Sequence, residues 1–368
     1  MHVVLDATVV HPPFSGVHRA VRHQVAALLR SPQRPAFTVL ASDPGLLDAA
    51  REAGASALSP PRLFHSRVGR ILWQQTLLPR LLRRHRADCL HAMAYTAPVR
   101  CPVPVVLNVH DLIPFERPDL CGLRNRWHMR TLMPPALRRA DRLVVSASPV
   151  ADVLGSRFGR DREAILVAPL GVEYDRFAAP APRPARAPGA PYLLFVGVIE
   201  PKKGIDVLLD AWPRVRDETG LSLVVCGRPG WKCRDTVARL RELRKTAGGI
   251  WLDDIGDDEI PAWFQHAFAT VQPSRIEGFG LPVLESMAAG TPVVHSDHPV
   301  LLETAGDCGV PFRNGEPDSL AEAVCELRNE PPEATESRIR TARRHAQSHT
   351  WNAWAASVLT TYARHQAP

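Results

Sequence analysis

Two doubly wound α/β domains, each a parallel sheet covered by helices, are the architecture this sequence predicts. Short Val- and Leu-rich runs alternate with longer amphipathic stretches along the whole chain, the pattern of buried parallel strands between helices. A Pro- and Ala-rich break, AAPAPRPARAPGAP (residues 178–191), lies near the middle. The length of 368 residues is too great for one ordinary α/β unit and suits two, each able to bury its own core. Two such domains facing each other across a cleft are the simplest packing.

In chain order, the first half supplies strands at HVVLDA (2–7), FTVL (37–40), VPVVLNVHD (103–111), RLVVSAS (142–148) and AILVAP (164–169). The second half supplies YLLFVG (192–197), LSLVVCG (221–227), WLDDIG (251–256), ATVQPS (269–274) and TPVVHSD (291–297). These give a first domain over 1–178, a linker over 179–191 and a second domain over 192–349. The closing stretch is a helix with Trp351, Trp354, Ala355, Val358, Leu359 and Tyr362 on one face. That face needs a partner.

Hydrophobic content of 45% with 23% charged residues fits a soluble globular protein, and no run approaches the roughly 18 apolar residues of a membrane span. The opening MHVVLDATVV lacks a basic region before its apolar run and reads as a first strand, so a cytoplasmic location is expected. The seven cysteines are scattered without a CxxC pair, which argues against a disulfide framework and a zinc site. Charge is uneven: residues 1–180 hold 24 Arg, no Lys and 14 acids, a balance of +10, and the remainder balances at −3. Such a half fits an anionic acceptor or peripheral contact with an anionic membrane, through Arg80, Arg83, Arg84 and Arg86 among others. Genomic base bias toward Arg, Ala and Pro fits equally well. Nucleic acid is disfavoured, because no basic run is interleaved with aromatics.

The most informative segment is TVQPSRIEGFGLPVLESMAAGTP (270–292). Pro282 suits the first position of a helix and Gly290 its left-handed stop, so a helix over about 282–289 is expected. Its free N–H groups face the space that Gly278 and Gly280 leave, a site suited to phosphate. Glu277 and Glu285 can accept hydrogen bonds from sugar hydroxyls. With 17 Glu in the chain, about 0.8 pairs at this spacing arise by chance, so the flanking residues carry the signal. A second anchor is FVGVIEPKKGIDVLLDAW (195–212), a strand, Gly197, a loop with Lys202 and Lys203, and a helix from near Gly204. Ammonium groups at that sheet edge can neutralise a departing diphosphate.

The run PSxxEGFGLPxLExMAxGxPVV resembles the signature of the retaining family 4 glycosyltransferases, proteins of the GT-B fold. The EPKKG loop resembles that family's donor motif, with Val198 where many members carry Arg. VPVVLNVHDLIPF resembles the strand that delivers a His to the cleft, here His110 followed by Asp111. HPPFSGVHRAVRHQ resembles its N-terminal loop and helix, with Gly16 and Arg19 matching and His18 in place of a second Gly. What the resemblance implies is a retaining transferase that uses UDP- or GDP-sugar, a hydroxyl acceptor and neither cofactor nor metal. Glu285 would then hold the ribose. Glu277 with the backbone of Gly278, Phe279 and Gly280 would hold the donor sugar. Lys203, Lys202, Gly16, Gly197 and the N–H groups of Leu281 and Val283 would meet the diphosphate. His110 would approach the donor sugar and phosphate, with His18, Arg19 and Asp111 on the acceptor side; a buried His satisfied by Asp111 is the plainer reading of that pair. The last helix, 350–368, would cross back to the first domain. A nucleotide-sugar epimerase of the same architecture and a non-catalytic nucleotide-sugar-binding module are the alternatives. The acids at Asp253, Asp254, Asp257, Asp258 and Glu259 sit on one element, so a helix cap at Asp257 is favoured over a metal.

Overall fold

The computed structural model describes residues 1–12, 15–243 and 248–363. Pro13 and Phe14 of the N-terminal loop, and residues 364–368 of the expected last helix, lie outside the described residues. The chain divides into two compact units, Met1–Glu116 with Leu123–Gly171 and Trp351–Pro368, and Arg117–Gly122 with Val172–Thr350.

In the first unit seven parallel strands form one sheet: β1 (His2–Asp6), β2 (Ala36–Leu40), β3 (Ser56–Leu58), β4 (Cys89–Ala92), β5 (Val105–Val109), β6 (Arg142–Val145) and β7 (Ile165–Val167). Their order is β3-β2-β1-β4-β5-β6-β7. The strand order switches sides between β1 and β4, which pair directly in parallel with Val4 opposite Leu90. The sheet is apolar on both faces, with Val3, Val4, Leu5, Val106 and Leu107 buried, as helices on both sides require. The helix Trp351–Ala363 packs against the helix Gly16–Arg30, and its Trp351, Trp354, Val358 and Tyr362 are buried there. Each such ring takes roughly 150–250 Å² from water. Trp351 also stacks on His23 at 5.0 Å.

The second unit holds six parallel strands: β8 (Tyr192–Val196), β9 (Ser222–Cys226), β10 (Gly249–Leu252), β11 (Ala269–Gln272), β12 (Val293–Ser296) and β13 (Val310–Phe312), in the order β10-β9-β8-β11-β12-β13. Its core joins Leu193, Phe195 and Val225 of the sheet to Trp212, Leu320 and Val324 of the covering helices.

All ten strands expected from sequence form, and β3, β4 and β13 are added to them. Each of the three is short, and β13 carries Pro311 in a three-residue run, so no extended apolar pattern marks it. Residues 172–178, expected in the first domain, belong to the second unit because Phe177 is buried against Phe264 with ring centroids 5.5 Å apart. The start of the Pro-rich stretch after them is held by the Gln265 side chain, whose Nε2 donates to the Ala179 carbonyl at 2.6 Å and whose Oε1 accepts from the Ala181 N–H at 2.9 Å. Asp257 is not the expected cap. Glu259 reaches back to the Gly256 N–H at 3.2 Å, and Asp257 pairs with Arg176 at 2.8 Å.

Candidate functional site

At the carboxyl edge of the second sheet the loop after β8 meets the segment after β11. Gly204 caps the helix Ile205–Thr219 at φ +65°, and a Cβ there would lie 1.9 Å from the Pro273 carbonyl oxygen. Only glycine permits that approach. Arg275 locks the contact: its N–H donates to the Lys202 carbonyl at 2.8 Å, and its guanidinium grips Asp206 through two contacts of 2.6 Å. Asn314 Nδ2 donates to the Arg275 carbonyl at 3.0 Å, and Ser296 Oγ to that of Ser274 at 2.6 Å.

This framework carries Lys203 onto Glu277. Lys203 Nζ lies 2.5 Å from Glu277 Oε1, which also accepts from Ser274 Oγ at 2.7 Å and Gln272 Nε2 at 3.0 Å. All three donors converge on one oxygen, and none of the described residues hydrogen-bonds to Oε2. Burial pushes the Glu277 carboxyl up, but the Lys203 charge and hydrogen bond, with the Ser274 hydroxyl, outweigh it and leave the pKa below the usual carboxylate value. Glu277 is therefore an ionised carboxylate with one oxygen saturated and one available to a hydroxyl. Lys203, expected as a diphosphate ligand, is held in an ion pair from which it can still offer protons.

Gly280, at φ +94°, turns the chain into the helix Leu281–Ala289, and Gly290, at φ +80°, ends it. A Cβ on Gly280 would meet Leu301 Cδ2 at 2.5 Å, so the turn is wedged against the helix Pro299–Ala305. Thr304 Oγ1 fixes it further by donating to the Phe279 carbonyl at 2.6 Å. Two expectations need correction. Pro282 occupies the second helical position, because Leu281 already opens the helix. Val283 does not offer a spare N–H: it donates to the Gly280 carbonyl at 2.9 Å, tightening the first turn. Glu285 follows one turn later and is only 2% exposed. His298 caps the neighbouring helix, Nδ1 accepting from the Val300 N–H at 3.3 Å. Burial lowers its pKa against the opposing charges of Glu277 and Asp297.

In the first unit His110 follows β5 and is buried, its Nε2–H donating to the Met93 carbonyl at 2.9 Å. Burial lowers its pKa, against the opposing Met93 hydrogen bond and Asp111 charge, so the ring is neutral and Nδ1 is the unprotonated nitrogen. Asp111 does not satisfy His110. Its Oδ2 accepts from Tyr95 Oη at 2.6 Å and its Oδ1 from the Ile113 N–H at 3.2 Å. Tyr95 in turn packs edge-on to His110 at 5.6 Å, from a backbone strained to φ +55°. Gly16 opens the helix Gly16–Arg30, and among the described residues no atom lies within 4 Å of a Cβ placed on it. His18 is the third residue of a capping box: its N–H donates to Ser15 Oγ at 3.4 Å, and its Nδ1 accepts from the Ser15 N–H at 3.3 Å.

The structure thus gathers Lys203, Glu277, Gly280 and Leu281 on one sheet edge, and His110 with Asp111 on the other unit. Gln272, Ser274 and Tyr95 belong to these clusters and were missed; only the Ser274 to Glu277 spacing of three residues hinted at one of them. Among the described residues no group of three or more His, Cys, Asp or Glu is arranged to hold a metal ion. No helix among them is long and apolar enough to cross a membrane.

Residues 181–345 match the family described as glycosyl transferases group 1, and residues 14–176 match glycosyltransferase family 4. A D-inositol 3-phosphate glycosyltransferase of Thermomonospora curvata is 33% identical over 299 residues, which cover 73% of this chain and 68% of the relative. Its counterpart in Streptomyces avermitilis is 31% identical over 244 residues, 61% of this chain and 52% of the relative. The chain thus spans about half the length of the latter. The solved structure of Anabaena HepE in complex with UDP superposes with a TM-score of 0.74 over 99% of both chains at 16% identity, a likeness of fold. With two parallel α/β sheets in two units, that fold is GT-B. The chain belongs to the family 4, group 1 glycosyltransferases.

Proposed function

We propose that this protein is a retaining glycosyltransferase that moves a hexose-type sugar from a UDP- or GDP-sugar to a hydroxyl of a saccharide, natural-product or lipid-linked acceptor, without a bound metal. The observation that carries the reading is the convergence of Lys203, Ser274 and Gln272 on one oxygen of Glu277. That arrangement keeps a buried carboxylate ionised and leaves its second oxygen without a donor among the described residues, so that it can accept from a sugar hydroxyl. Glu285 is assigned to the ribose hydroxyls. Gly278, Phe279 and Gly280 shape the donor-sugar site.

Lys203 and the N–H of Leu281, with Lys202, Gly16 and Gly197, are assigned to the leaving diphosphate, whose developing charge they stabilise in place of a metal ion. His110, neutral with Nδ1 as an acceptor, is assigned to the donor sugar and its phosphate. His18, Arg19 and Asp111 are assigned to the acceptor. In a front-face substitution the departing phosphate oxygen takes the proton of the acceptor hydroxyl as the new glycosidic bond forms on the same face, so the anomeric configuration is kept. No side chain need act as general base.

The test is an incubation with UDP- and GDP-hexoses and a panel of hydroxyl acceptors, with the product read by NMR. Transfer with the donor's anomeric configuration is expected. An inverted product, or donor consumed to an epimer without acceptor, overturns the reading.

A further inference from the structure

Of the seven large apolar side chains that stand exposed among the described residues, six lie in one corner of the first unit: Leu63, Val68, Leu72, Val99, Leu123 and Trp127, between 50% and 82% exposed. Scattered apolar residues on a surface are ordinary, but a concentration of this kind is not. Val68 and Leu72 are four apart on the helix Arg67–Thr76, and Leu123 and Trp127 are four apart on the helix Leu123–Arg139, so each pair forms a stripe. The two helix starts are joined by Arg67 Nη2 donating to Asn125 Oδ1 at 2.6 Å. Val99 is tied to the end of the first helix, its N–H donating to Gln75 Oε1 at 3.0 Å. The stripes therefore lie on neighbouring elements.

Charge selects the occupant. Arg62, Arg67, Arg124 and Arg130 are exposed around these stripes, and residues 53–87 and 120–140 contain no Asp or Glu. Exposed Leu and Trp beside Arg, on two segments free of acids and with the nearby Asp119 already paired to Arg117 at 2.8 Å, have the chemistry of an interfacial anchor: rings and aliphatic chains enter the headgroup boundary while guanidinium groups meet lipid phosphates. We propose that this corner docks on an anionic lipid bilayer. The same helix reaches the carboxyl edge of the first sheet, Gln74 Nε2 donating to Asp6 Oδ2 at 2.7 Å, so docking holds that edge close to the lipid surface. The proposal is independent of the transferase reading, because it is measured without donor or acceptor.

The experiment is sedimentation of the full chain with phosphatidylcholine vesicles, with and without phosphatidylglycerol, at low and at physiological salt. Binding that requires phosphatidylglycerol and weakens with salt is expected, because the guanidinium groups are exposed and screened. Leu123→Ser with Trp127→Ser should lower the vesicle-bound fraction at least about tenfold, and Arg124→Glu should separately weaken the preference for phosphatidylglycerol. Thermal melting of each variant checks that it folds, and Arg124→Glu keeps the test alive if the double variant does not. Absence of vesicle binding at low salt, unchanged binding by the variants, or a dimer in solution that the double variant dissociates would each overturn the proposal.

Discussion

Replacing Lys203 with Met leaves Glu277 as a buried carboxylate without its charge partner. The side chains of the pair are only 16% and 10% exposed, so water cannot take over the lost interaction. Removing one member of such a pair costs about 3–5 kcal/mol, and because Ser274 and Gln272 still donate to Glu277, the lower figure applies. For a unit of this size about 3 kcal/mol lowers Tm by roughly 6–12 °C. The pH dependence gives the sharper reading. In the wild type the Glu277 pKa lies below its ordinary value of 4.5, so the pair's stabilisation is full above that value and is lost as pH falls through the lower folded-state pKa. Without Lys203 only the Ser274 and Gln272 hydrogen bonds and the Lys202 charge oppose the burial that pushes this carboxyl up, and the expected outcome is a raised pKa with the sign reversed. The penalty is then present above the raised pKa and fades as acid protonates Glu277. Melting curves of wild type, Lys203→Met, Glu277→Gln and the double variant at pH 7 and pH 5 test this. The Lys203→Met deficit should shrink at pH 5, and Glu277→Gln added to it should restore stability. A Lys203→Met protein that melts within about 2 °C of wild type at both pH values would mean that Lys203 does not hold the Glu277 charge in the fold.

Gly204→Ala combines a left-handed backbone with a Cβ placed 1.9 Å from the Pro273 carbonyl oxygen. The loop must retreat by at least about 1 Å, at a cost of about 3 kcal/mol or more in urea unfolding. Near-wild-type stability would mean the two loops are not in backbone contact. In the first unit His91 is buried between Tyr362 Oη and Asn108 Oδ1, and burial pulls its pKa down to about 4. Its neutral form therefore stabilises the fold above pH 6.5, and this is lost as pH falls toward 4. By pH 5 that amounts to about 2 kcal/mol, and His91→Asn should flatten the urea-measured pH profile by that amount. An unchanged slope would contradict the assignment.

Much of the second sheet and its helix was legible because local signals agreed: Val- and Leu-rich runs marked β8, β9 and β12, and Gly290 marked the helix stop at φ +80°. The pairing of Lys203 with Glu277 was not, because the two are separated by 74 residues and each motif read alone assigns its charge to a ligand. Val283 shows a subtler limit. Its N–H looked free by position, but the left-handed entry at Gly280 brings the Gly280 carbonyl under it. His18 was read as a departure facing the acceptor, yet its spacing of three from Ser15 builds a capping box. The exposed corner around Trp127 leaves no mark in the sequence, because burial of an apolar residue on a partly apolar helix is a tertiary property.

Nucleotide binding decides whether the second unit holds a donor site. UDP, GDP and their hexose derivatives, each titrated against wild type and Glu285→Ala, are to be followed by thermal shift. One nucleotide series should stabilise the wild type, by about 2.7 kcal/mol at a hundred times its Kd, and Glu285→Ala should lose most of that gain. A wild type that no nucleotide stabilises, or a Glu285→Ala variant stabilised equally well, would contradict the donor site described around Glu277, Lys203 and Glu285.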